Sequence, residues 1–154
     1  MVTRLAAAAA LAVCLAGCSH NNHLNQTSAA ARPAPRPQAL GAIPARPAAS
    51  VWHLRAGLNV AALTCKGRGR VSVRGPYGEV LSRHRALLAA AYSAEQQRQG
   101  NGFDHAETRL YNRFSNQRDP ARFCRDAASV ARRAAAMDSV TLAANAGNLL
   151  GELR

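Results

Sequence analysis

Two carboxylates and one histidine are the residues of this sequence whose types and positions could serve catalysis. Asp104 and Glu107 lie three positions apart, so a helix would place them on one face, where paired carboxylates can serve a hydrolase. The same spacing at the start of a helix is that of a capping box, in which both side chains bind free backbone amides, and we expect this role. His84 falls within an apolar stripe, which favours a partly buried, hydrogen-bonded histidine over a general base.

Motifs of known catalytic mechanism are absent from the sequence. It contains no His-Glu-x-x-His, no Gly-x-Ser-x-Gly, no Cys-x-x-Cys and no Gly-rich phosphate loop after a strand. His20 and His23 lie in a segment without a scaffold and make a weak metal site. We therefore expect a protein without enzymatic activity, cofactor or metal. A cavity lined by His84, Glu95 or Tyr111 would instead favour a small hydrolase or a cofactor-binding domain.

Positive charge is the strongest feature of the composition. The 154 residues include 20 Lys and Arg against 8 Asp and Glu, a formal net charge of +12, which favours a polyanionic partner. The charge is densest in one glycine-containing loop and just beyond it. An ordinary solvated loop is the simpler interpretation of this charge. The alternative is an anion-binding group that consists of Lys66, Arg68, Arg70 and Arg74, with peptidoglycan carboxylates or anionic lipid headgroups as its ligands. Nucleic acid is not expected, since only Tyr77 is near enough to stack on a base.

The first 18 residues are typical of an export signal. Arg4 is the positive residue, Leu5 to Leu15 form a short apolar run, and small residues follow. The quartet Leu15-Ala16-Gly17-Cys18 resembles the lipobox of bacterial lipoproteins. The resemblance implies cleavage of residues 1–17 and acylation of Cys18, and the serine after it implies the outer membrane, facing the periplasm. An ordinary cleaved signal with an accidental cysteine is the alternative.

Behind the signal the chain divides into a linker and a domain. Residues 18–50 are rich in Pro, Ala and small polar residues, which predicts a lipidated N-terminus on a disordered tether. From residue 51 to residue 154, apolar residues recur at three- and four-residue spacing without a convincing strand pattern. Gly75-Pro76 indicates a turn, and Asp119-Pro120 indicates the start of a helix. We predict an all-α bundle of four or five helices.

Each predicted helix offers an apolar face to the core. In the first helix this face consists of Val51, Leu54, Leu58, Ala61, Ala62 and Cys65. In the last two it consists of Phe123, Ala127, Val130, Ala134 and Met137, and of Leu142, Ala146, Leu149, Leu150 and Leu153.

Two cysteines remain in the domain once Cys14 leaves with the signal and Cys18 is acylated. An oxidising periplasm favours a disulfide between Cys65 and Cys124, since each lies on the inward side of its predicted helix. A catalytic thiol is the competing interpretation, but no activating neighbour is evident in the sequence.

A resemblance covers most of residues 51–130. The stretch Leu54 to Leu63 followed by Cys65, together with Tyr111 to Ser115 and Phe123-Cys124, resembles a group of uncharacterised small exported bacterial proteins. The resemblance implies a small disulfide-linked helical domain and no assigned activity. Two classes of function stay open: an envelope protein that binds an anionic surface or another protein, which we expect, and a small envelope hydrolase or cofactor carrier.

Overall fold

The computed structural model describes residues 43–66 and 71–153, which belong to one compact unit, Gln38–Arg154. These residues form α-helices joined by short turns, with no strand in either described range. The helices are α1 (Ala45–Thr64), α2 (Arg74–Arg83), α3 (Arg85–Gln99), α4 (Phe103–Ser115), α5 (Pro120–Ala136) and α6 (Ser139–Gly151). Backbone hydrogen bonds continue through His84, from its amide to Val80 and from the amide of Leu88 to its carbonyl. Because α2 and α3 thus form one bent helix, the six helical segments amount to five helices among the described residues. The structure therefore confirms the predicted all-α bundle of four or five helices.

The first helix is the centre of the bundle. It contacts all five of the other helices, and its buried residues are Ala48, Val51, Trp52, Leu54, Ala56, Gly57, Leu58, Val60 and Ala61. A helix that is apolar on nearly all sides is buried on nearly all sides. The predicted apolar face of α1 is buried or half-buried as expected, and the helix also buries residues outside that face, namely Ala48, Trp52, Ala56, Gly57 and Val60. Its small residues, such as Ala56 and Gly57, let neighbouring helices approach from directions that a one-sided helix would leave to water.

The first helix also begins earlier than the predicted boundary at residue 51. It starts at Ala45, and the amide of Ala48 donates to the carbonyl of Pro44 over 3.1 Å. Pro47 lies within the first turn, where a residue without an amide hydrogen loses no intrahelical bond. Ile43 packs against the core as well. The last residues of the predicted tether, 45–50, are therefore helical, because the proline spacing there is compatible with the first turn of a helix. The predicted signal peptide and the rest of the tether lie outside the described residues.

Two further local predictions were wrong. Gly75 and Pro76 do not form a turn before a helix but belong to the first turn of α2. No capping box forms at α4, because the single-turn 3₁₀ segment Gly100–Gly102 leads directly into a helix that begins at Phe103. Asp104 therefore lies inside the first turn, where its charge interacts favourably with the helix dipole. Glu107 instead accepts a hydrogen bond from the indole of Trp52 over 2.6 Å.

The last two helices follow their sequence patterns. Asp119 caps α5 by accepting from the amide of Arg122 over 2.9 Å, with Pro120 next in the chain. Asp138 caps α6 by accepting from the amides of Val140 and Thr141, also over 2.9 Å. Nearly all the predicted inward positions are buried: Phe123, Ala127, Val130 and Ala134 in α5, and Leu142, Ala146, Leu149, Leu150 and Leu153 at α6. Met137 is half-buried against the same core.

A disulfide joins Cys65, just after α1, to Cys124 in the first turns of α5, with 5.5 Å between their Cα atoms. This confirms the predicted pair. The two residues are 59 positions apart, and closing a loop of that length stabilises the fold by about 4 kcal/mol in the chain-entropy account. The bond fixes the end of α1, the central helix, to α5, which packs beside α2.

Candidate functional site

Two of the four predicted anion-binding residues line one hollow. Lys66 and Arg74 are exposed and border a space of about 250 Å³ beside Cys65, together with Leu63 and Ser72. The described lining of this hollow contains no carboxylate, so its local charge is positive. Arg68 and Arg70 lie outside the described residues.

His84 has no exposed surface. Its Nε2 lies 3.1 Å from the carbonyl of Ala134, and its Nδ1 lies 2.9 Å from the hydroxyl of Ser139. Since a carbonyl can only accept, Nε2 carries the proton and Nδ1 accepts from Ser139. Burial lowers the pKa of His84 and holds the ring neutral. His84 therefore ties the bend between α2 and α3 to the turn between α5 and α6, and no substrate can reach it.

A cleft that the sequence did not predict lies between α1, α3 and α4. It encloses about 130 Å³, and its polar lining consists of His53, Gln99, Arg109 and Arg113. The two arginines lie four residues apart on α4, one turn from each other on the same face. Among the described residues neither guanidinium is paired with a carboxylate.

A buried carboxylate, that of Glu95, lies next to this cleft. Glu95 is only 3 % exposed. Its carboxylate accepts hydrogen bonds from Nε and Nη2 of Arg98 and, over 3.0 Å, from the side-chain amide of Gln99, and it lies 3.6 Å from Nε2 of His53. The hydrogen bonds from Arg98 lower the pKa of Glu95, so the carboxylate stays ionised. Burial lowers the pKa of His53 despite the opposing attraction of Glu95, and the charges of Arg98 and Arg113 lower it further.

The polar residues beside the cleft form a satisfied network between α1 and α4. Arg55 donates to the hydroxyl of Tyr111 over 2.7 Å and stacks on Trp52, with its guanidinium carbon 4.6 Å from the ring centroid. The amide of Asn59 lies 3.4 Å from the same hydroxyl. These bonds hold the two helices together. His84, Glu95 and Tyr111 do not line either the hollow beside Cys65 or the cleft between α1, α3 and α4.

The sequence contained one signal for the missed cleft. Arg109 and Arg113 share a helical face by their spacing alone, but nothing local indicates that His53 and Gln99 line the same cleft from two other helices. His53 and Gln99 are 46 positions apart, and only the packing of α1 on α3 brings them together.

Neither a metal centre nor a membrane span emerges from the described part of the chain. No group of three or more His, Cys, Asp or Glu side chains there is placed to hold a metal ion. No helix in residues 43–66 or 71–153 has both the length and the apolar character needed to cross a bilayer. No protein-family model matches the chain, and neither a curated protein nor a solved structure does.

Proposed function

We propose that this chain is a lipid-anchored protein of the bacterial cell envelope whose basic helical domain binds anionic groups without catalysing a reaction. The observation that carries the binding part is the hollow at which Lys66 and Arg74 meet without a carboxylate in its described lining. The lipobox at Cys18 and the net charge of +12 support the anchor and the polyanionic partner. The site of action would be the periplasmic face of the outer membrane, and the partners peptidoglycan or anionic lipid headgroups.

The chemistry of the hollow fits such partners. Arginine binds carboxylate and phosphate groups through two parallel hydrogen bonds, whereas lysine acts as a point charge. Both side chains reach water, so their attraction for an anion is screened over about 10 Å at 0.1 M salt. Binding that depends on several exposed charges is therefore steeply sensitive to salt.

The anchor is tested at Cys18. The mature protein should begin at this residue, with diacylglycerol on its thiol and an acyl group on its amino nitrogen, and mass spectrometry measures both. A Cys18→Ala chain should leave the membrane fraction, since several acyl chains are what make such an anchor stable. A mature protein that starts at another residue, without lipid, would contradict the proposal.

Surface binding is tested in the Cys18→Ala chain, so that no lipid anchor contributes. Co-sedimentation with isolated peptidoglycan, and with vesicles that contain phosphatidylglycerol, should fall steeply as NaCl rises from about 0.05 M to about 0.5 M. Vesicles of pure phosphatidylcholine provide the baseline. The test variant exchanges the four predicted binding residues for glutamine, namely Lys66, Arg68, Arg70 and Arg74.

A control variant removes the same charge elsewhere. It carries glutamine at four other exposed arginines, namely Arg83, Arg85, Arg118 and Arg125. If the hollow and its loop bind the surface, the test variant loses much more binding than the control. Equal losses in both would show that net charge acts alone, and binding that ignores salt and both variants would contradict the proposal.

A further inference from the structure

The cleft between α1, α3 and α4 holds two cations that pair with no carboxylate among the described residues. Arg109 and Arg113 both line it, and the carboxylates among the described residues lie elsewhere or bind other cations. Two guanidinium groups one helical turn apart can bind the same tetrahedral anion, each through a pair of hydrogen bonds. Gln99 and His53 add neutral polar groups to the wall.

The nearby carboxylate does not cancel this charge. Glu95 directs its oxygens to Arg98 and Gln99, and its ion pair with Arg98 is neutral as a unit. Glu95 is also absent from the lining of the cleft. The charge that faces the open space is therefore that of Arg109 and Arg113.

We propose that this cleft binds a phosphate group, as inorganic phosphate or as a phosphate monoester, between Arg109 and Arg113. Its volume of about 130 Å³ is below the roughly 300–1,000 Å³ of pockets for drug-sized ligands, and so suits a small oxyanion or the end of a larger ester. The site is separate from the Lys66 and Arg74 hollow, because His53 precedes Cys65 by roughly 18 Å along α1. Phosphate binding in the cleft and surface binding at the hollow can therefore be tested independently of each other.

His53 provides a reporter inside the cleft. Burial and the charges of Arg98 and Arg113 lower its pKa, while Glu95 opposes them. A bound phosphate would offset the positive charge of Arg113 and add a hydrogen-bond acceptor, so the pKa of His53 should rise. By linkage, phosphate should then bind more tightly at a pH where His53 gains its proton.

The experiment titrates the full-length chain, solubilised in a non-ionic detergent, with inorganic phosphate at constant ionic strength. Calorimetry should give one site per chain. Nuclear magnetic resonance of the histidine rings should show a raised pKa for His53 at saturating phosphate, with its signal assigned from a His53→Gln chain. The pKa of the buried His84 should not change. Glycerol 3-phosphate and vesicles containing phosphatidic acid serve as competitors, and the one that displaces phosphate identifies a free or a lipid-borne monoester.

Paired variants decide whether the cleft is the site. An Arg109→Gln, Arg113→Gln chain should bind phosphate at least about tenfold more weakly, since charge-assisted bonds from both guanidinium groups are lost. The matched control, Arg85→Gln with Arg125→Gln, removes two exposed arginines that do not line the cleft and should bind as the unaltered chain does. All four changes are at exposed positions, and circular dichroism checks the helices. Equal affinities in the two double variants, or a pKa of His53 that ignores phosphate, would overturn the proposal.

Discussion

Replacing Gly57 with alanine tests how tightly the central helix is packed. A Cβ atom at this position would lie 3.0 Å from Cδ1 of Leu153, 3.0 Å from Cε1 of Phe114 and 3.1 Å from its Cζ. Both neighbours are almost fully buried, at 1 % and 2 % exposure. The ring of Phe114 also stacks on that of Phe123, with 6.4 Å between centroids. A shift of the Phe114 ring toward Phe123 would therefore disturb a second aromatic residue.

Two effects of opposite sign determine the change in the free energy of unfolding. Alanine is favoured over glycine in a helix interior by about 1 kcal/mol. Overpacking a dense core costs about 1–3 kcal/mol. Because the three contacts are all shorter than ordinary van der Waals separations, we expect the cost to exceed the gain and the Gly57→Ala chain to lose about 1 kcal/mol.

Gly147 provides the matched control within α6. A Cβ atom there would meet only the hydroxyl oxygen of Ser50 at 3.7 Å, an ordinary contact. The Gly147→Ala chain should therefore gain roughly 0.5–1 kcal/mol from helix propensity. Urea unfolding followed by circular dichroism, with the disulfide intact, measures both variants. A Gly57→Ala chain as stable as the Gly147→Ala chain would contradict the expected overpacking at Gly57.

Two other perturbations address the disulfide and the buried histidines. Exchanging Cys65 and Cys124 together for serine should lower the unfolding free energy by about 4 kcal/mol, because the unfolded chain regains the entropy of an open loop; two thiols that alkylate in the native, exported protein would contradict the bond. His84 and His53 have folded pKa values below the ordinary value of about 6.5. The unfolded chain therefore binds more protons below pH 6.5, so stability should be full above that pH and fall as the pH drops toward 5. Urea midpoints at several pH values measure this, and a His84→Gln chain should show a shallower decline.

The helices at the end of the chain could be predicted because their signals are local. Asp119 and Pro120 supply the cap and the first helical residue of α5, and one periodic apolar face follows. The α1 helix could not be predicted as well. Its apolar positions face five neighbours, so periodicity alone did not reveal how many sides are covered. The start of α1 was also predicted too late, since a proline such as Pro47 is typical both of a linker and of the first turn of a helix.

The polar sites divide in the same way. Lys66 and Arg74 could be singled out from a run of charge, and the disulfide from the predicted compartment and the number of cysteines. Glu107 fits the spacing of a capping box, but Trp52 from another helix takes its carboxylate. The spacing of Asp104 and Glu107 alone does not indicate that a residue of another helix contacts Glu107.

The packing at Gly57 also bears on the geometry of the cleft. His53 lies one helical turn before Gly57, on the same face of α1. The short distance from Gly57 to Phe114 places α4 directly against this face, and Arg113 is the residue before Phe114 while Leu110, which lines the cleft, is one turn before it. Arg113 and Phe114 are adjacent on α4, so a methyl group at Gly57 that shifts the backbone of α4 would also move Arg113 relative to His53. We expect the Gly57→Ala chain to bind phosphate more weakly than the unaltered chain, although every side chain that lines the cleft is unchanged.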